Sequence, residues 1–205
     1  MNEKIEESAQ YLKCCSNIEA ETFRLYETLS KKINNPESSF IVGFAYDSLK
    51  NAKIIQALLE SYDLTQNLNC KKNLATLTNE VQTFTKIITK INNIDYESLI
   101  EIFKELINLE DILAHVYVDF LQTPAPKFLA DELSNFVTVD FNNFKKVFEN
   151  FSQEKEKHRE TIIEIIYCFE AKEAEQHKHV QPVVKYQNPD SWITQSTLHA
   201  FSKYE

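Results

Sequence analysis

Glu154-Lys155-Glu156-Lys157-His158-Arg159-Glu160-Thr161 lies in the middle of a long helical pattern and breaks its apolar face. The pattern runs over about residues 140–178. At helical spacing one stripe reads Phe148, Phe151, Lys155, His158, Ile162, Ile165, Phe169. Residues three and four apart share a face. The stripe is apolar at both ends and polar in its centre. An ammonium and an imidazole in a hydrophobic seam are costly to bury without partners. Those partners must come from elsewhere in the chain.

Three further helices carry the same interruption. Helix one, about 3–33, has the stripe Ile5, Leu12, Cys15, Glu19, Phe23, Tyr26, Ile33, and Asn34-Asn35-Pro36 ends it. Helix two, about 37–63, reads Ile41, Phe44, Ser48, Asn51, Ile55, Leu58, Tyr62. Helix three, about 96–122, reads Leu99, Phe103, Leu106, Glu110, Leu113, Tyr117, Phe120, and Thr123-Pro-Ala-Pro126 stops it. Between helices two and three, Leu74, Leu77, Val81, Phe84, Ile88 and Ile91 predict a shorter amphipathic helix at about 71–91. It is expected outside the main core or across a bundle end. A short helix at about 127–136 leads into the long one. The tail after Val180 contains Pro182 and Pro189, and a last short helix would carry Trp192, Leu198 and Phe201. The division is a helical bundle over 1–180 and an extension over 181–205.

Composition agrees with long helices. Among 205 residues there is one glycine, Gly43, and there are five prolines, too few for the tight turns of a sheet protein. A glycine within helix two costs about 1 kcal/mol against alanine; room for close helix contact at Gly43 is one packing reason for it. The net charge of -9 argues against a general nucleic-acid binder, which needs a cationic surface. No apolar run approaches the ~20 residues that span a bilayer, and the first residues lack a signal-peptide core. The cytoplasm is the expected location. Cys14, Cys15, Cys70 and Cys168 show no zinc spacing and are read as buried or idle thiols in a reducing compartment.

The helices pair by pattern. Ile18-Glu19 and Leu109-Glu110 are each followed by a tyrosine, Tyr26 and Tyr117, seven residues after the glutamate. Asp47 and Glu154 each precede Asn51 and His158 by four, with an aliphatic stretch following. The chain reads as two helical hairpins of one design joined by a long crossover. This resembles the ferritin-like, and particularly the rubrerythrin-like, four-helix bundles, over about residues 10–62 and 97–178. The resemblance implies an all-α fold with two iron or manganese ions, held by one Glu from each of two helices and a Glu-x-x-His pair from each of the others. Glu19 and Glu110 match the lone glutamates, and His158 matches the second histidine. Ser48, Asn51 and Lys155 stand where the family has Glu, His and Glu. Tyr26 and Tyr117 match groups that back the ligands, or else are core tyrosines with a bonded hydroxyl.

The altered set sums to -1 with His158 neutral and to zero with it protonated. The leading expectation is that the Lys155 ammonium takes the place of a metal ion, bridged to Glu19 and Glu110, in a non-catalytic protein with a binding or assembly role. No cofactor is favoured, and a homodimer is the partner considered. The rival is an atypical iron- or manganese-dependent oxidoreductase using Glu19, Glu110, Glu154 and His158. A third reading places an apolar ligand between the helices. His177 and His179 are read as a solvated helix end, and His115 with Asp111 as a surface pair.

Overall fold

The computed structural model describes residues 3–33, 36–61, 70, 72–92, 94–124, 126–127 and 141–179. They form five helices and no strand: α1 (Glu3–Ser30), α2 (Ser38–Ser61), α3 (Lys72–Lys90), α4 (Tyr96–Gln122) and α5 (Phe141–His179). The helix expected at 127–136, the extension, Tyr62, and the side chains of Ile5, His177 and His179 lie outside the described residues.

Local chemistry sets the ends. Asp95 caps α4, its carboxylate accepting from the Ser98 amide at 2.8 Å. At the other end the Thr123 amide and hydroxyl both donate to the Phe120 carbonyl, at 3.1 and 2.7 Å, and Pro124 follows. After α1, the Ile33 amide still reaches the Leu29 carbonyl at 3.1 Å. The turn at Pro36-Glu37 then opens α2, with the Ser39 amide on the Pro36 carbonyl.

Side-chain pairings give the directions. Tyr26 meets Glu110 and Tyr117 meets Glu19, so α1 and α4 are antiparallel. Lys50 meets Glu154 and Asp47 meets His158, so α2 and α5 are antiparallel. Phe120 packs on Phe148 and Phe103 on Phe169, which runs α4 against α5. Tyr26 packs on Phe44 across the α1–α2 hairpin. The closest-packed pairs are α1 with α2, α4 with α5, and α1 with α3.

Helix α3 explains the crossover. Cys70, just before it, meets Cys14 early in α1, and Lys32 at the end of α1 donates to the Ile91 carbonyl at 2.8 Å. Thus α3 runs parallel to α1 on its outer side and carries the chain back to the end where α4 must start. Its inner face, Leu74, Leu77, Val81, Phe84 and Ile88, is buried. Most of the predicted stripes are buried as well, from Leu12 to Phe169; Phe23, Leu58 and Ile91 are half-buried at their edges.

Two expectations are corrected. Among the described residues no helix approaches Gly43: a Cβ there would meet nothing within 4 Å, and the residue lies on the exposed side of α2. The thiols are not all idle. Cys14 is bonded to Cys70, with Cα atoms 5.2 Å apart, leaving Cys15 buried and Cys168 exposed as the free cysteines. Sequence spacing carries no signal for a pair 56 residues apart.

Candidate functional site

Four helices contribute one polar level to the core. Glu19 from α1, Ser48 and Asn51 from α2, Glu110 from α4, and Lys155 from α5 are all 0 % exposed, and His158 is 4 % exposed. Aromatic side chains close the level on one side: Tyr117 packs on Phe148 and Phe151. On the other, Ile162, Ile165 and Phe169 continue the apolar stripe. Such a dry setting strengthens every charge interaction inside it and makes an unpaired charge expensive.

Lys155 is the centre of this level. Its Nζ donates to Glu19 Oε2 at 2.8 Å and to Ser48 Oγ at 3.2 Å, and lies 3.9 Å from Glu110 Oε2. Burial alone would depress the lysine. The Glu110 and Glu19 carboxylates outweigh it and hold the ammonium above the ordinary lysine value. Glu110 shows the converse: burial pushes its carboxyl up, and the Lys155 ammonium, with the neighbouring His158 ring and the Tyr26 hydroxyl, holds it below the ordinary carboxylate value.

Each carboxylate is backed by a tyrosine from the opposite helix. The Tyr117 hydroxyl donates to Glu19 Oε1 at 2.5 Å, and the Tyr26 hydroxyl donates to Glu110 Oε1. Burial and the neighbouring carboxylates push both phenols well above their ordinary value, so both remain donors. The cross-pairing joins α1 and α4 twice, at points two turns apart. It also explains the repeated spacing of Glu to Tyr on each helix: seven residues are two turns, so both side chains face the partner helix.

His158 marks the edge of the level. Its Nε2 lies 3.2 Å from Asp47 Oδ2, and its ring packs on Phe44 with centroids 4.2 Å apart. Its Nδ1 lies 3.5 Å from Glu110 Oε1 without an aligned hydrogen bond. Asp47 is half-buried. Burial raises its carboxyl, but His158 and Lys50 hold it below the ordinary value. Asp47 stands out in the sequence four residues before Asn51, but its pairing with His158 and the role of Lys50 do not, since contact with α5 depends on the register between α2 and α5. Asp47 does stand next to Ser48 and Lys50 next to Asn51, which is the signal available.

Glu154 takes a different direction from the one its possible ligand role requires. Its Oε1 accepts from Lys50 at 2.6 Å and its Oε2 from Asn51 at 3.2 Å. Among the described residues, no group of three or more His, Cys, Asp or Glu side chains is arranged to hold a metal ion. The donor chemistry does not suit the family's pair of divalent ions either. Two such ions bring four positive charges, whereas Glu19, Glu110 and Lys155 together carry -1, and the ammonium stands between the carboxylates. His115 lies 3.7 Å from Asp111, the histidine exposed and the aspartate half-buried, at the surface of α4.

Comparison with protein-family models, curated proteins and solved structures returns no match. Among the described residues, no helix is long and apolar enough to cross a membrane.

Proposed function

We propose that this chain is a ferritin-like four-helix bundle of rubrerythrin-like pattern in which Lys155 fills the metal position, so that the di-metal chemistry is lost and a non-catalytic binding or assembly role remains. The observation that carries the reading is the Lys155 ammonium, fully buried between Glu19 and Glu110 at 2.8 and 3.9 Å. A single cation there offsets one of the two core carboxylate charges and leaves a net -1, in place of the metal ions that balance the carboxylates in the family. Ser48 supports it by accepting from the same ammonium. The antiparallel pairing of α1 with α4 and α2 with α5, with α3 as the crossover, supports the bundle assignment. The oxidoreductase reading is weaker, because Glu154 is engaged by Lys50 and Asn51.

Metal content tests the reading. The protein is expressed with added iron, manganese and zinc and desalted without chelator. Less than about a tenth of an ion per chain, with no stabilisation on adding metal, is expected; a resident ion would raise stability by mass action. Stoichiometric metal that is lost in Glu110→Ala or His158→Ala overturns the proposal in favour of the oxidoreductase. The role as an assembly component predicts a homodimer, which sedimentation at several concentrations reads directly.

Location is a separate proposal, and the Cys14–Cys70 bond bears on it. The cytoplasm, our proposal from sequence, keeps thiols reduced, whereas this bond belongs to an oxidising compartment. Alkylation of the protein at the moment of cell lysis separates the two. Four blocked thiols support the cytoplasm, and two overturn it.

A further inference from the structure

The protein's one glycine stands where nothing among the described residues needs it. Gly43 lies on the exposed face of α2, and a Cβ added there meets nothing within 4 Å. Glycine in a helix costs about 1 kcal/mol against alanine. Three residues to either side are Phe40 and Tyr46, 52 % and 64 % exposed. One turn apart, the three share a side of the helix. Two aromatic rings thus flank a strip of bare backbone, a shape suited to a side chain that must approach the helix closely.

The chain itself supplies an occupant of matching length and chemistry. Phe44 packs on His158, so Phe40, one turn earlier on an antiparallel helix, is level with about Ile162. From there α5 continues to His179, about 26 Å at 1.5 Å per residue. After His179 come residues 180–205. An extended chain covers about 3.3 Å per residue, so about eight residues suffice to return that distance. A return of that length would bring Pro189 to Trp192 to the level of Phe40 and Gly43. Pro182 and Pro189 are compatible with an extended path. Residues 180–205 carry two lysines, Lys185 and Lys203, against two acids, Asp190 and Glu205. They are therefore neutral where the whole chain carries -9, and the acidic bundle does not repel them.

We propose that the segment Pro189–Phe201 folds back on its own bundle and seats Trp192 on the Gly43 backbone between Phe40 and Tyr46. Burying an indole and two exposed rings against one another is the driving force. The occupant is the chain's own C-terminal segment, and its capture by a neighbouring copy is a distinct outcome that dilution detects.

Trp192 is the only tryptophan, so the full-length protein reports on itself. Its emission and its quenching by acrylamide are compared in native and urea-unfolded protein. Docking places the native emission at shorter wavelength, with reduced quenching. Gly43→Gln and Tyr46→Lys each shift emission and quenching toward the unfolded values while far-UV circular dichroism retains the native helicity. Both substitutions are on an exposed helix face, so either serves if the other fails to fold. Tyr167→Ser, at an exposed aromatic of α5, leaves the signal unchanged. Native emission equal to that of the unfolded chain overturns the proposal, as does a shielded Trp192 indifferent to both α2 variants. A shift lost on dilution assigns the groove to a second copy and overturns the intramolecular form.

Discussion

Lys155→Met keeps most of the side-chain stem and removes the charge at the centre of the core. At an effective dielectric of about 20, unit charges 2.8 and 3.9 Å apart attract by about 6 and 4 kcal/mol, the distances from Lys155 to Glu19 and Glu110. Desolvation of the ammonium and carboxylates offsets much of this attraction. What the substitution exposes is the remainder: two carboxylates, 0 % exposed, left without their cation. Breaking a buried pair in this way costs about 3–5 kcal/mol. For a chain of this size that is a fall in Tm of roughly 6–20 °C. The loss should also depend on pH. Without Lys155, burial raises the Glu110 carboxyl, so the folded variant takes up protons more readily than the unfolded chain, and acid narrows the gap to wild type. Urea unfolding followed by circular dichroism at pH 7 and pH 5 measures both effects. A loss below about 1 kcal/mol at pH 7 and equal at both pH values would refute the reasoning, since that is the behaviour of an exposed pair.

In the wild type, the carboxyls of Glu110 and Asp47 lie below their ordinary values, so their contribution is full above the ordinary carboxylate range and disappears as pH falls through the shifted values. Lys155 lies above its ordinary value, so its contribution is full below that value and is lost only as pH rises beyond it; unfolding midpoints across the pH range should show a plateau between these limits. Cys14→Ser, or reduction, opens a loop of 56 residues and should lower stability by about 4 kcal/mol on the chain-entropy account, read from urea midpoints with and without reductant. The triple variant Ser48→Glu, Asn51→His, Lys155→Glu restores four carboxylates and two imidazoles at the family positions, and should gain manganese or iron measurable by elemental analysis.

The helices were legible because the apolar stripes keep the 3.6-residue period over many turns. Expected and observed bounds differ by at most about three residues, and α4 coincides. Glu19, Ser48, Asn51, Glu110, Lys155 and His158 were legible for a related reason. Each interrupts an apolar stripe at its middle, and only a shared level in the core satisfies such interruptions together. Asp47 with His158 and Lys50 with Glu154 depend on how α2 and α5 are shifted along each other, which periodicity within one helix does not report. The Cys14–Cys70 bond depends on where α3 lies against α1, again a tertiary matter. Gly43 misled for the opposite reason: a helical glycine signals close approach, but not what approaches.

The charge state of Lys155 is the central claim, and nitrogen-detected NMR of the lysine side chains tests it most directly. A buried ammonium donating to Glu19 and Ser48 exchanges its protons slowly with water. The account predicts one protected ammonium signal at neutral pH, absent in Lys155→Met and unmoved by added manganese. A spectrum in which every lysine signal exchanges freely, or in which manganese broadens the Lys155 signal at stoichiometric concentration, would contradict it.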